Sequence, residues 1–205
     1  MQKAKEYQTT IYQPDGTTVD YITEFDPSTR KIVKATIFQQ DGTTVDSISD
    51  FDPNTGKPVK TTTYQPDGKT IKFIHELNPT TGDLVKETNY HPDGTIKSII
   101  EFNPTTRKLV KQTFYQSDGK TIWYIEEYDP KTGNEIKTTF YQPDGVGIKW
   151  ILEFDPKTGN KIKTTTYHPD GKTINFIEEF NPSTGEIVKK THFNPDGTII
   201  DIINY

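Results

Sequence analysis

The chain has 205 residues, of which 30% are hydrophobic, and a mean hydropathy of -0.78; a domain built around a three-dimensional core usually carries roughly 45–50% apolar residues with glycine counted. Aspartate and glutamate outnumber lysine and arginine 29 to 24, the formal charge is -5 and no basic run stands out, which excludes the electrostatic footprint of a nucleic-acid or anionic-membrane binder. Cysteine is absent and no stretch of 18 apolar residues occurs, so the sequence offers neither a disulfide framework, nor a thiolate metal site, nor a transmembrane segment.

The opening Met1-Gln2-Lys3-Ala4-Lys5-Glu6 has no apolar run and does not read as a signal peptide. Residues 5–12 match the half-unit that later precedes every Asp-Gly pair. Those pairs are Asp15-Gly16, Asp41-Gly42, Asp67-Gly68, Asp93-Gly94, Asp118-Gly119, Asp144-Gly145, Asp170-Gly171 and Asp196-Gly197, with successive glycines 26, 26, 26, 25, 26, 26 and 26 residues apart. A fixed period of this size marks a repeat architecture. The whole chain, 1–205, therefore reads as a single array: the half-unit at 5–12, then units starting near Gly16, Gly42, Gly68, Gly94, Gly119, Gly145, Gly171 and Gly197.

Each unit holds two strand-like segments. Segment A follows Asp-Gly, as in Val19-Asp20-Tyr21-Ile22-Thr23-Glu24-Phe25, and segment B precedes it, as in Lys137-Thr138-Thr139-Phe140-Tyr141. Both alternate, are rich in β-branched and aromatic residues, and end at Pro/Gly turns, which predicts eight A and eight B strands and no helix. The Asp-Gly turns suit a type I turn with a left-handed glycine and a bulge. The second turn, Asp/Asn-Pro-x-Thr-Gly/Arg, has its prolines at Pro27, Pro53, Pro79, Pro104, Pro130, Pro156 and Pro182. Its Asp or Asn side chain suits a bond to a backbone N–H two residues on. Arg30 and Arg107 replace the last glycine, at roughly 1 kcal/mol each if that position is left-handed. The fourth and eighth units lack one residue after Asp-Gly, and the unchanged downstream pattern places the extra residue of the others in the loop or a bulge.

Ile22 and its equivalents are isoleucine in all eight copies, up to Ile202. Pairing Asp26 with Lys31 across the turn puts the Ile22, Val33 and Glu24 rows on one face. The rows headed by Phe25, Lys34, Thr36 and Tyr12 then fall on the other. Such apolar rows let each hairpin bury its neighbour. The final segment, Ile199-Ile200-Asp201-Ile202-Ile203-Asn204-Tyr205, is apolar and uncapped, an edge-pairing hazard. Because the chain opens on B and ends on A, the expected open, twisted all-β antiparallel meander of about eight β-hairpin repeats has a closed ring or barrel as its alternative.

The unit Tyr-x-Pro-Asp-Gly-Lys-Thr-Ile-x-x-Ile-x-Glu-Phe-Asp-Pro-x-Thr-Gly-x-x-Ile-Lys-x-Thr, clearest at residues 64–88 and 141–165, resembles a tandem-repeat family of unknown function found in phytoplasmas and related mollicutes. More distantly it is similar to MORN-type and YD-type β-hairpin repeats. The resemblance implies a secreted or host-facing protein with no assigned activity, and supplies no catalytic residues.

No constellation of catalytic groups departs from the repeat. His75, His91, His168 and His192 lie at scattered phases and read as solvent-exposed turn residues, not as a metal site. The Asp-Gly turns lack the ligand spacing of calcium loops, and none of the six serines has a triad context. Trp123 and Trp150, with Tyr124 and Phe176, break the repetition. They form a candidate stacking patch for a sugar or a partner, or else simply fill grooves of the sheet. The expectation is a non-enzymatic protein without cofactors, offering a multivalent binding or scaffold surface for protein partners through regularly repeated groups. The alternatives are self-association through the edge residues Ile199, Ile200, Ile202 and Ile203, and carbohydrate binding through the aromatic rows.

Overall fold

The structure, a computed structural model, describes residues 7–205; residues 5 and 6 of the first half-unit lie outside it. The described residues are all-β, in sixteen antiparallel strands that follow chain order. They divide into two compact units, one through Ile96 and one from Lys97. The first holds β1 (Gln8–Tyr12), β2 (Val19–Phe25), β3 (Ile32–Phe38), β4 (Val45–Phe51), β5 (Pro58–Tyr64), β6 (Ile71–Leu77) and β7 (Leu84–Tyr90). The second holds β8 (Ile96–Phe102), β9 (Leu109–Tyr115), β10 (Ile122–Tyr128), β11 (Glu135–Tyr141), β12 (Ile148–Phe154), β13 (Lys161–Tyr167), β14 (Ile174–Phe180), β15 (Ile187–Phe193) and β16 (Ile199–Asn204). Within each unit every strand pairs with its chain neighbour. β1 pairs only with β2 and β16 only with β15, so the meander is open and the ring is not formed.

Turn chemistry sets the hairpins. At Gly94 the amide donates to His91 O (2.9 Å) and His91 N–H donates to Thr95 O (2.8 Å), a type I turn closed by a left-handed glycine. At Gly16 the closing bond runs from Gln13 N–H to Thr18 O. The additional residue therefore sits in the loop and the strands keep their phase. The second turn behaves as its side chains dictate: Asp26 Oδ1 accepts the Ser28 and Thr29 amides at 2.9 and 2.7 Å. Arg30 and Arg107 take the left-handed position with φ of 59° and 60°. Arg30 recovers part of that cost by placing its guanidinium 4.9 Å from the Tyr7 ring centre.

Successive turns are also tied to each other. Lys31 Nζ donates to Asn54 O, Lys57 Nζ to Thr80 O and Lys108 Nζ to Lys131 O, while Asn134 and Asn160 do the same with their amides. At the other end of the strands, Gln39 and Gln116 reach Pro66 O and Pro143 O.

The face assignment expected from the sequence holds for Ile22, Glu24 and Phe25 on the A strands but fails for Lys34 and Thr36 on the B strands, and the reason is local. Asp26 does bond Lys31, through Asp26 N–H to Lys31 O at 2.9 Å, and Phe25 faces Ile32. One residue later, however, Glu24 faces Lys34. Val33 is a bulge, two residues opposing one, and it moves everything beyond it to the opposite face. The same shift recurs in the other hairpins described, through Val59, Val85, Val110, Ile136, Ile162 and Val188. A second series of bulges lies beyond the Asp-Gly turns, at residues such as Asp46, Lys72, Trp123 and Lys149.

The first face therefore carries isoleucine opposite threonine, as in Thr139, Ile151, Thr165 and Ile177, and glutamate opposite lysine, as in Glu127, Lys137, Glu153 and Lys163. Burial follows a single-layer logic. No described side chain is fully buried, and Phe180 is the one buried hydrophobic residue among them. The best-covered side chains are small ones roofed by larger neighbours, such as Thr165 and Thr138. Cohesion thus comes from cross-strand pairs of about 0.2–1 kcal/mol each, not from a core.

Candidate functional site

The two faces differ in how far the units agree. Positions on the first face repeat: isoleucine and threonine in every copy, acid and lysine almost as regularly. Six of these lysines lie 3.0–3.8 Å from the glutamate opposite. The repeated charges thus largely satisfy one another, at about 0.2–1 kcal/mol per exposed pair. The second face keeps one repeated row, from Phe25 through Phe51, Leu77, Phe102, Tyr128 and Phe154 to Phe180, but varies at other positions. At the position of Tyr21 the later A strands carry Ser47, Phe73, Ser98, Tyr124, Trp150, Phe176 and Asp201, and the B-strand positions opposite are Ile37, Thr63, Asn89, Phe114, Phe140, Thr166 and His192. The strands pair in the same way across all of these differences.

On the second face of β9–β12 the variation becomes an aromatic ladder. Phe114 and Tyr124 stack with ring centres 4.4 Å apart, Tyr124 and Phe140 at 5.2 Å, and Phe140 and Trp150 at 5.0 Å. Trp123, in the bulge of β10, meets Tyr124 edge-on at 4.9 Å and remains 54% exposed. Lys149, in the equivalent bulge of β12, holds its ammonium 4.4 Å from the Trp150 ring centre. Between the two tryptophans runs a groove of about 450 Å³, floored by Phe140 and ended by Gln116, Tyr141 and Pro143. Burial and the neighbouring Glu126 push the Tyr124 hydroxyl above its ordinary pKa. Tyr128 is pushed further, by burial first and then by its hydrogen bond to Glu126 Oε2 at 2.8 Å. Both phenols stay neutral donors.

A groove in the same place on β3–β6 is polar. Its lining includes Gln39, Asp46, Thr63, Tyr64, Pro66 and Lys72, so aspartate stands where the second unit has Trp123 and threonine where it has Phe140. Elsewhere on the second face, Glu178 and Lys190 pair at 3.0 Å with little exposure, and the same ammonium lies 4.3 Å from the Phe176 ring centre.

The profile of the family described as Protein of unknown function (DUF2963) matches residues 2–37, 38–89, 64–114, 90–140, 115–166 and 167–205. The chain belongs to this family. A search of the curated proteins gives no match. Among solved structures, a mutant of S. aureus TarM is similar over 58% of this chain and 21% of its own, at 14% identity and a TM-score of 0.39. The GtfA/B complex is similar over 70% and 21%, at 14% identity and a TM-score of 0.32. A porin-like protein from Bacteroides uniformis is similar over 88% and 85%, at 12% identity and a TM-score of 0.25. The chain thus spans about a fifth of the first two, and likenesses this loose carry no functional argument.

Of the residues singled out by sequence in this member of the family, Trp123, Tyr124 and Trp150 come together in one ladder. Phe176 shares their row but is set off from Trp150 by Thr166. Sequence reasoning missed Phe114 and Phe140, which join the ladder into a continuous stack. The available signal was phenylalanine at a B-strand position that other units fill with Ile, Thr, Asn or His. Ile199, Ile200, Ile202 and Ile203 lie on β16, at 55%, 59%, 50% and 39% exposure. The histidines need correcting. His75 and His192 are strand residues of the second face, bonded to Glu87 (2.9 Å) and Asp201 (2.6 Å), not exposed turn residues. His168 is in a turn, yet its Nε2 is buried without a partner. Among the described residues no group of three or more His, Asp or Glu could hold a metal ion.

Proposed function

We propose that this protein is a non-enzymatic recognition scaffold for protein partners, in which the first face builds the array and the second face binds. The observation that carries this reading is the confinement of unit-to-unit variation to one face. A repeat that only had to stack would repeat on both faces, and one that presented a single repeated group would vary on neither. The repeated Lys and Glu rows, the obvious multivalent groups in the sequence, are turned toward each other. What remains to meet a partner is the second face, where aromatic, amide, carboxylate and ammonium groups change along the strand order. Multivalency then takes the form of several unlike contacts on a common support.

The test is positional. A photo-crosslinking amino acid at Leu152 or Thr164, on the second face, should capture a partner protein. The same residue at Glu153 or Lys163, one position along on the first face, should not. Equal capture from both faces, or capture from the first face alone, refutes the assignment.

A second reading, assembly of copies by strand addition, is favoured by the four exposed isoleucines of β16, a strand with β15 as its one neighbour.

A further inference from the structure

We infer that the groove between Trp123 and Trp150 binds a proline-rich segment in the polyproline II conformation, carrying an acidic residue. This inference rests on the second face being the binding face.

The first argument is shape. Trp123 and Trp150 stand on strands two places apart, so their ridges are about 9–10 Å apart centre to centre at the usual strand spacing. The Phe140 ring, stacked against Tyr124 on one side and Trp150 on the other, fills the space beneath. A trough of this width takes one extended chain laid on an aromatic floor. Strand addition cannot occur there, because β10, β11 and β12 are each paired on both sides. The ligand must therefore be held through its side chains and carbonyls. A polyproline II chain suits this, since it has no internal hydrogen bonds and docks onto aromatic-lined grooves.

The second argument is the balance of donors. The indole N–H groups of Trp123 and Trp150 can only donate, as can the Lys149 ammonium. The Gln116 amide nitrogen gives one N–H to Pro143 O at 3.1 Å and keeps its second N–H beside the side-chain oxygen. No carboxylate lines the groove, and Lys149 is its one charge. Proline residues offer carbonyl acceptors and no N–H, so a proline-rich segment matches a lining dominated by donors. A sugar, whose hydroxyls all donate as well as accept, is matched less well by a wall without carboxylates. The lone ammonium at the rim selects an acidic residue on the ligand. The equivalent groove on β3–β6 has Asp46 in place of Trp123 and Thr63 in place of Phe140, and should not take this ligand.

The molecule carries its own reporter, because both of its tryptophans line the groove. Peptides of tandem Pro-Pro-Glu-Pro blocks, and a control with every proline replaced by alanine, are titrated against the full chain while tryptophan emission is followed. Cellohexaose and chitohexaose form a third arm. The expected result is a saturable change with the proline peptide and at least tenfold weaker binding of the alanine control. Trp123→Ala and Lys149→Glu should each weaken the proline peptide at least tenfold. Both residues are bulge residues at the sheet surface, and an unchanged far-ultraviolet spectrum confirms that each variant folds.

Equal binding of the alanine control, binding unchanged in Trp123→Ala, an unchanged emission, or saturable binding of a glycan in its place would each overturn the inference. Crosslinking from Leu152 and Thr164 is scored separately. If capture from the second face persists while the peptide fails, the ligand class is wrong and the recognition scaffold stands.

Discussion

Gly171 and Gly185 make a controlled pair. Both have positive φ, +66° and +77°, so alanine at either position costs about 1 kcal/mol of backbone strain. They differ in what a methyl group would meet. At Gly185 nothing lies within 4 Å, whereas at Gly171 a Cβ would sit 2.3 Å from Gly147 Cα and 2.8 Å from Gly147 C. Those atoms are backbone of the preceding turn and cannot rotate away. The two turns must separate, which adds about 1–3 kcal/mol of overpacking. It also endangers the bond from Ile148 N–H to Gly171 O, 2.9 Å long and worth about 1 kcal/mol. Gly185→Ala should therefore cost about 1 kcal/mol and Gly171→Ala about 3–5 kcal/mol. Urea unfolding followed by tryptophan emission and by circular dichroism measures both, provided the slope with denaturant is unchanged. Unfolding free energies that agree to within about 1 kcal/mol between the variants would show that the turns do not press on each other as described.

Two further outcomes follow from the turns and the last strand. Thr and Ser hydroxyls, with backbone amides, hold the Asp26, Asp41, Asp118 and Asp170 carboxylates at about 2, below the ordinary 3.8. A pKa depressed on folding gives stability that is present above 3.8 and lost as pH falls through about 2. The melting temperature should drop across that window, and a flat profile there would contradict the turn geometry. For assembly by strand addition, sedimentation of the parent should shift with concentration and Ile200→Lys/Ile202→Lys should abolish the shift; concentration-independent sedimentation of the parent eliminates that reading.

The turns were legible in the sequence because their residues act locally: proline fixes φ, aspartate bonds amides two and three residues on, and glycine takes φ > 0. Arg30 and Arg107 could be placed in the left-handed position by alignment with their glycine counterparts alone. The face assignment failed on the B strands because it depends on one unpaired residue in each hairpin. Val33 looks like any β-branched strand residue, and nothing in its chemistry announces a bulge. Trp123 was visible as an exception to the repeat, and its neighbour Tyr124 with it. Phe114 and Phe140 were hidden because phenylalanine is unremarkable in a strand, and only the corrected register sets them beside Tyr124 and Trp150.

The sameness of the first face has a consequence for how the chain folds. Every hairpin offers its neighbours nearly the same Ile–Thr and Glu–Lys surface, so a hairpin from another copy fits almost as well as the proper one. Short loops enforce adjacency within a chain, but between nascent or crowded chains they enforce nothing, and exchange of hairpins is the natural error. Among the described residues, the stack from Phe114 to Trp150 and the Glu178–Lys190 pair each occur once. They act as addresses, favouring the one neighbour that completes them, so the groups assigned here to recognition also keep the sheet from being assembled out of order.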